Sequence, residues 1–200
     1  FENLPGVPLA GLRSAPDGTV YVSDTTEDCV FTFRDGNGDG DANDAGEYGI
    51  WFDGRVGGNA SNVALNSASN LAYQTSSGAW FASSSNTGTA GTVDAIIRMK
   101  DVNSDGDAND LGEASEYWIY TATTGTGDSI LSAVEIGADD NVYFFDTGSV
   151  GLAGKGVYRL VDLNADGDAN DAGEVTPFFI PTGTVGVSAW SLELGPDGWF

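Results

Sequence analysis

An all-β fold, a β-propeller of four-stranded antiparallel blades, is predicted by three features of this 200-residue chain. A thirteen-residue acidic segment recurs three times. Short runs of β-branched and aromatic residues flank every copy, separated by Gly, Pro, Asp and Asn turn signals. No segment sustains the 3.6-residue apolar period of a helix. Four strand-length runs per unit, repeating at about 45–65 residues, is the pattern of propeller blades.

The elements follow in order. The first blade covers about residues 9–53. It opens at Leu12-Arg13-Ser14, turns at Pro16-Asp17-Gly18, and continues through the runs Thr19 to Ser23, Val30 to Arg34 and Tyr48 to Phe52. Pro fixes φ in such a turn and Gly accepts positive φ. The second blade covers about residues 62–122 and closes on Tyr117-Trp118-Ile119-Tyr120. The third covers about 129–181, with runs at Ala133 to Asp140, Val142 to Phe145, Val157 to Val161 and Val175 to Ile180. A partial fourth, about 186–200, begins near Trp190 and repeats the turn as Pro196-Asp197-Gly198. About three and a half blades do not close a ring. The expectation is a longer polypeptide, or failing that a second chain, to complete it.

The repeats themselves read DGNGDGDANDAGE from Asp35, DVNSDGDANDLGE from Asp101 and DLNADGDANDAGE from Asp162, their starts 66 and 61 residues apart. The spacing D-x-N-x-D-G is the first half of an EF-hand-type calcium loop, with oxygens at positions 1, 3 and 5 and Gly at 6. Ca2+ is a hard cation that takes six to eight oxygens, and alternate residues of a tight turn supply them. The usual loop carries its bidentate acid at position 12. Here that position is Gly46, Gly112 or Gly173, and the acid follows one residue later. One inserted residue brings Asp44, Asp110 and Asp171 to the ninth role and Glu47, Glu113 and Glu174 to the twelfth.

The expected ligand sets are therefore Asp35, Asn37, Asp39, Asp44 and Glu47; Asp101, Asn103, Asp105, Asp110 and Glu113; and Asp162, Asn164, Asp166, Asp171 and Glu174. Asp41, Asp107 and Asp168 are assigned a backbone carbonyl or an outer contact. No helical pattern flanks the loops, so they belong to the hairpin between the third and fourth strands of each blade rather than to EF-hands. Magnesium, which prefers a rigid octahedron and keeps its waters, suits them less. Zinc is poorly served by a chain with no His and one Cys.

Charge supports the same reading. The formal net charge is −23, with 30 acidic residues against 7 basic ones. Fifteen of those acids fall in the three loops, where mutual repulsion opposes folding unless a cation offsets it. Three bound Ca2+ would bring the total to −17. So acidic a surface argues against nucleic acid and anionic lipid as partners. No stretch approaches the roughly 20 apolar residues of a membrane helix. Cys29 is alone and sits in an apolar run, so it reads as a buried, inert thiol.

The turn-strand pieces Ala15-Pro16-Asp17-Gly18-Thr19-Val20-Tyr21-Val22-Ser23-Asp24 and Gly195-Pro196-Asp197-Gly198 resemble those of the NHL and SMP-30/gluconolactonase-like propellers. The Asp-rich loops resemble those of bacterial secreted and surface repeat proteins and the calcium hairpins of integrin α-type propellers. The resemblance implies an extracellular, cell-surface or periplasmic protein with structural calcium.

Three functions compete. One is a structural, adhesion or assembly module that contacts other protein chains or surface and matrix components. Another is a lactonase- or esterase-like hydrolase with a central metal, for which Asp24, Glu135 and Asp146 are the acids near strand ends. The third, a phytase-like phosphatase, is disfavoured by the scattering of Arg13, Arg34, Arg55, Arg98, Lys100, Lys155 and Arg159. A complete lack of His, the commonest general base near neutral pH, weakens the hydrolase. The loop runs Thr75 to Gly78 and Ser83 to Gly88 hold no nucleophile motif. Trp51, Trp80, Trp118, Trp190 and Trp199 could stack on carbohydrate, but most fall in strand runs and are expected between blades.

Overall fold

The computed structural model describes residues 9–85, 94–120, 130–147, 152, 154–182, 190–198 and 200. Among the described residues, twelve strands form three antiparallel sheets, each a meander of four consecutive strands. The first sheet holds β1 (Leu9–Ser14), β2 (Val20–Asp24), β3 (Cys29–Phe33) and β4 (Tyr48–Asp53). The second holds β5 (Leu71–Gln74), β6 (Ala79–Ser84), β7 (Ala95–Met99) and β8 (Ala114–Ile119). β9 (Leu131–Ile136), β10 (Val142–Asp146), β11 (Gly156–Leu160) and β12 (Val175–Phe179) make the third. No helix occurs among the described residues. This is the propeller architecture, with β1, β5 and β9 innermost and β5 packed against both of the others.

Turn chemistry sets the hairpins. Between β1 and β2, the N–H of Ala15 donates to the Thr19 carbonyl at 2.8 Å, and Gly18 adopts φ 88°. The third sheet makes the same turn at residues 137–141, but there Asp140 holds the left-handed conformation at φ 65°. Short polar residues tolerate that region better than others.

Strand alternation distributes the side chains between sheets. On β6, Trp80 and Ala82 face the first sheet and join Val30, Trp51, Phe52, Leu71 and Met99 in one core. Ala79 and Phe81 face the other way, into a core with Trp118, Val134, Phe144 and Tyr158. All six residues of β6 are therefore buried. Rings interlock across the gaps: Tyr21 stacks on Trp80 at 4.0 Å and Trp118 on Phe144 at 4.7 Å between centroids. Trp51, Trp80 and Trp118 are thus core residues, whereas Trp190 is exposed. Trp199 and the run 86–88 lie outside the described residues.

Each outer hairpin carries a bulge at the same place. The register skips one residue on the outer strand, leaving Trp51 on β4, Tyr117 on β8 and Phe178 on β12 without a direct partner. Pro177 lies in β12, an edge strand, where a missing N–H is tolerated.

The expected strand at Trp190 is not found. Residues 190–195 form no ladder with the described strands. Leu192 nevertheless packs on the free face of the third sheet, against Ala133, Tyr143, Phe145 and Val157.

Candidate metal loops and the clamps they form

The acidic segments occupy the connections β3–β4, β7–β8 and β11–β12, which we call loops 1, 2 and 3. Each is built around its final glutamate. Glu47 Oε1 accepts the N–H groups of Gly36 and Asn37, at 2.9 and 3.3 Å, and its Oε2 accepts that of Asp44 at 3.0 Å. Glu113 does the same with Val102, Asn103 and Asp110, and Glu174 with Leu163 and Asp171. All three glutamates are buried. A carboxylate that collects several backbone N–H groups ties both ends of the loop together.

The first aspartate pins the opposite side. Asp35 accepts Gly38 N–H at 2.6 Å and Gly40 N–H at 2.9 Å, Gly40 first among the interactions that hold this carboxyl below its ordinary pKa. Asp101 contacts Ser104 and Gly106, and Asp162 contacts Asp166 and Gly167, in the same way. The tight return needs positive φ at Gly40, Gly106 and Gly167, at 98°, 105° and 102°.

At the centre lies the asparagine. Asn37 Nδ2 donates to Asp39 at 3.3 Å and to Asp44 at 2.5 Å. Asn103 links Asp105 to Asp110, and Asn164 links Asp166 to Asp171, within similar distances. This amide group stands where two carboxylates converge, the place a cation would take. In loop 2, one oxygen each from Asp105, Asp110 and Glu113 lies within 4.8 Å of the others. That spread is compatible with a shared ion of the Ca2+ type, whose ligands lie at about 2.3–2.6 Å. Asp41, Asp107 and Asp168 accept the N–H groups of Asn43, Asn109 and Asn170 instead.

Sequence reasoning gave the Ala-Asn pair inside each loop no role, yet it joins the blades. The N–H of Ala108 donates to the Trp51 carbonyl at 2.8 Å, and Asn109 Oδ1 accepts the N–H of Asp53 at 2.8 Å. Loop 3 repeats this on the second sheet: Ala169 N–H to the Tyr117 carbonyl at 2.7 Å, and Ile119 N–H to Asn170 Oδ1 at 2.8 Å. In both cases the accepting carbonyl belongs to the bulge residue of the preceding outer strand. The presence of Ala-Asn in all three copies, at positions no metal requires, was the available signal.

The acids near strand ends do not form one group. Glu135 lies toward the end of β9 that pairs with Tyr143, whereas Asp24 and Asp146 pair with Leu9 and Leu131 at the opposite ends of the inner strands. Arg13 holds Glu135 in an ion pair and also reaches the Leu71 carbonyl and Glu193, linking all three inner strands. Burial raises the pKa of Glu135, opposed by the Ile136 N–H and by Arg13. These residues border a cavity of about 600 Å³ that Tyr73, Thr75 and Asp140 also line. Asp24 accepts the N–H groups of Thr26 and Glu27 and caps a turn.

No family model and no curated protein sequence matches the chain. Among solved structures, catalytically inactive virginiamycin B lyase from Staphylococcus aureus with quinupristin is similar at a TM-score of 0.50 and 16% identity. The match covers 92% of this chain and 44% of the lyase. PQQ-bound aldose sugar dehydrogenase from Streptomyces coelicolor follows at 0.49 and 17%, over 81% of this chain and 49% of that one. The chain spans less than half the length of either. At such identities the likeness is one of fold, the propeller, and says nothing of activity.

Proposed function

We propose that this chain is a calcium-binding propeller module of an extracellular, cell-surface or periplasmic protein, with a structural, adhesion or assembly role. One observation carries the reading: three copies of one loop converge the same carboxylates on one asparagine, and in loop 2 three acidic oxygens already lie within 4.8 Å. Entry of Ca2+ would require the asparagine amide to release the two aspartates and its oxygen, which accepts the N–H of Asp39, Asp105 or Asp166, to turn to the ion. The ion then offsets five clustered carboxylates per loop. Asp35, Asn37, Asp39, Asp44, Glu47 and their counterparts are the assigned ligands, with the glutamate also tying the loop ends.

The hydrolase alternative draws no such support. Among the described residues Glu135 is engaged by Arg13, and Asp24 and Asp146 lie at the other ends of their sheets.

Calorimetric titration with Ca2+ tests the proposal. Three sites are expected in the wild type and two in Asp105→Ala. Absence of any heat or stoichiometry above that of a surface-acid control would refute it.

A further inference from the structure

The three sheets carry equivalent residue pairs where the second strand meets the third. Tyr21 pairs with Thr32, Phe81 with Arg98 and Tyr143 with Arg159, the second member always three residues before its acidic loop. Two sheets thus place an arginine beside an aromatic ring, and the first places a threonine. The outer strand is also smallest there: Gly49 pairs with Thr32, where Ser115 and Thr176 pair with the arginines. A Cβ on Gly49 would meet nothing within 4 Å.

Space opens accordingly. The cleft between the first and second sheets has a volume of about 700 Å³, whereas its counterpart between the second and third, which Arg98 lines, has about 240 Å³. The two correspond residue by residue: Tyr21, Trp51 and Asp101 border the larger, Phe81, Tyr117 and Asp162 the smaller. Tyr73 and Trp80, their rings 4.8 Å apart, add an aromatic wall to the larger one. Of the described residues lining it, five are acids and one, Arg34, is basic. Burial, and then the negative charge of Asp17, push the pKa of the Tyr21 hydroxyl up to about 12.

The third sheet shows what occupies such a place. Arg159 approaches Asp139 of the inner turn at 3.7 Å, and the same Asp139 oxygen accepts the Tyr143 hydroxyl at 2.9 Å. Asp17 and Tyr21 stand at the corresponding positions of the first sheet. There Asp17 is bound by Thr19, and Arg34 reaches it only from the exposed rim, at 3.6 Å. Thr32 supplies no charge.

We infer that the cleft between the first and second sheets binds a guanidinium group from outside, in the place that the chain's own Arg98 and Arg159 fill on the other sheets. The aromatic wall suits the flat face of a guanidinium and Asp17 its fork of N–H donors, whereas a compact ammonium matches neither. Asp17 belongs to none of the calcium ligand sets. The inference goes beyond the metal reading and does not rest on it.

Titration in calcium-containing buffer, followed by tryptophan fluorescence and calorimetry, provides the test. The probe is the tripeptide Gly-Arg-Gly with both ends blocked. It is compared with the same peptide carrying citrulline, the uncharged isostere, or lysine in the middle. The arginine peptide should bind at one site per chain, about tenfold or more tighter than either. Thr32→Arg should lose about tenfold or more, its own side chain filling the cleft, while Thr32→Ser should bind as the wild type does. Asp17→Asn should weaken binding by a similar factor. Agmatine, a free small guanidine, is titrated beside the peptide, and the tighter of the two identifies the source of the group. No saturable binding by the wild type, equal binding of the citrulline or lysine peptide, or Thr32→Arg binding like the wild type would each overturn the inference. The calcium stoichiometry of the same samples reports on the metal loops separately.

Discussion

The side-chain oxygen of Asn170 accepts the backbone N–H of Ile119 at 2.8 Å, so a residue of the third acidic loop holds the outer strand of the second sheet. Asn109 holds Asp53 at the same distance one sheet earlier. A single geometry therefore serves as hairpin loop and as inter-blade tie.

Deleting that tie should be measurable. Asn170→Ala leaves the five loop carboxylates in place and removes one hydrogen bond, a loss of about 1 kcal/mol. For a chain of this size that corresponds to roughly 2–4 °C in Tm. Hydrogen exchange should quicken at Ile119 and hardly change at Asp53, whose tie belongs to loop 2. Equal quickening at both amides would show global loosening instead.

Cys29 is fully buried beside Asp53, and burial, then the nearby carboxylate, pushes its thiol pKa up to about 12. The thiolate is the reactive form. Native protein should resist alkylation at neutral pH for as long as it stays folded, and denatured protein should react fully. Labelling of native protein at the rate of a free thiol would contradict the buried placement.

Much of the fold could be read from period and punctuation. Alternating apolar runs marked the strands, and Pro16-Asp17-Gly18 marked a hairpin whose Gly18 adopts the positive φ such a turn demands. The loops were legible because thirteen residues recur in one frame. What stayed hidden depends on tertiary contact. Nothing in the local sequence says that Ala108 and Asn109 meet β4, because that contact joins residues more than fifty positions apart. Likewise the separation of Glu135 from Asp24 and Asp146 is a matter of strand direction, which composition does not encode.

Glu135 gives a pH dependence of definite sign. Its folded-state pKa is raised because burial outweighs the Ile136 N–H and Arg13. The folded form then holds its proton more tightly than the unfolded one. The stabilisation is complete below the unfolded pKa, about 4.3 for Glu, and is lost as pH rises through the folded value. In Glu135→Gln that contribution is absent. Between pH 7 and pH 4 the wild type should therefore gain Tm relative to the variant, measured by thermal melts at matched ionic strength. A difference that stays flat or runs the other way would count against the burial argument.

Metal and clamp should also be coupled. Asn109 directly precedes Asp110, whose carboxylate takes the Asn103 amide and whose N–H donates to Glu113. An ion held by Asp105, Asp110 and Glu113 would fix the backbone at 109–110 from one side, while the first sheet fixes it from the other. Binding to the native state alone lowers the population of opened loops by the factor 1 + [L]/Kd. Calcium well above Kd should accordingly slow exchange at Ala108 and Asp53 by about tenfold or more, equivalent to about 1.4 kcal/mol. Asp110→Asn should abolish that calcium-dependent part and leave the corresponding effect at Ala169 and Ile119, which depend on loop 3. Protection confined to the loop ligands, with Asp53 indifferent to calcium, would mean that the ion stiffens the hairpin without tightening the blades.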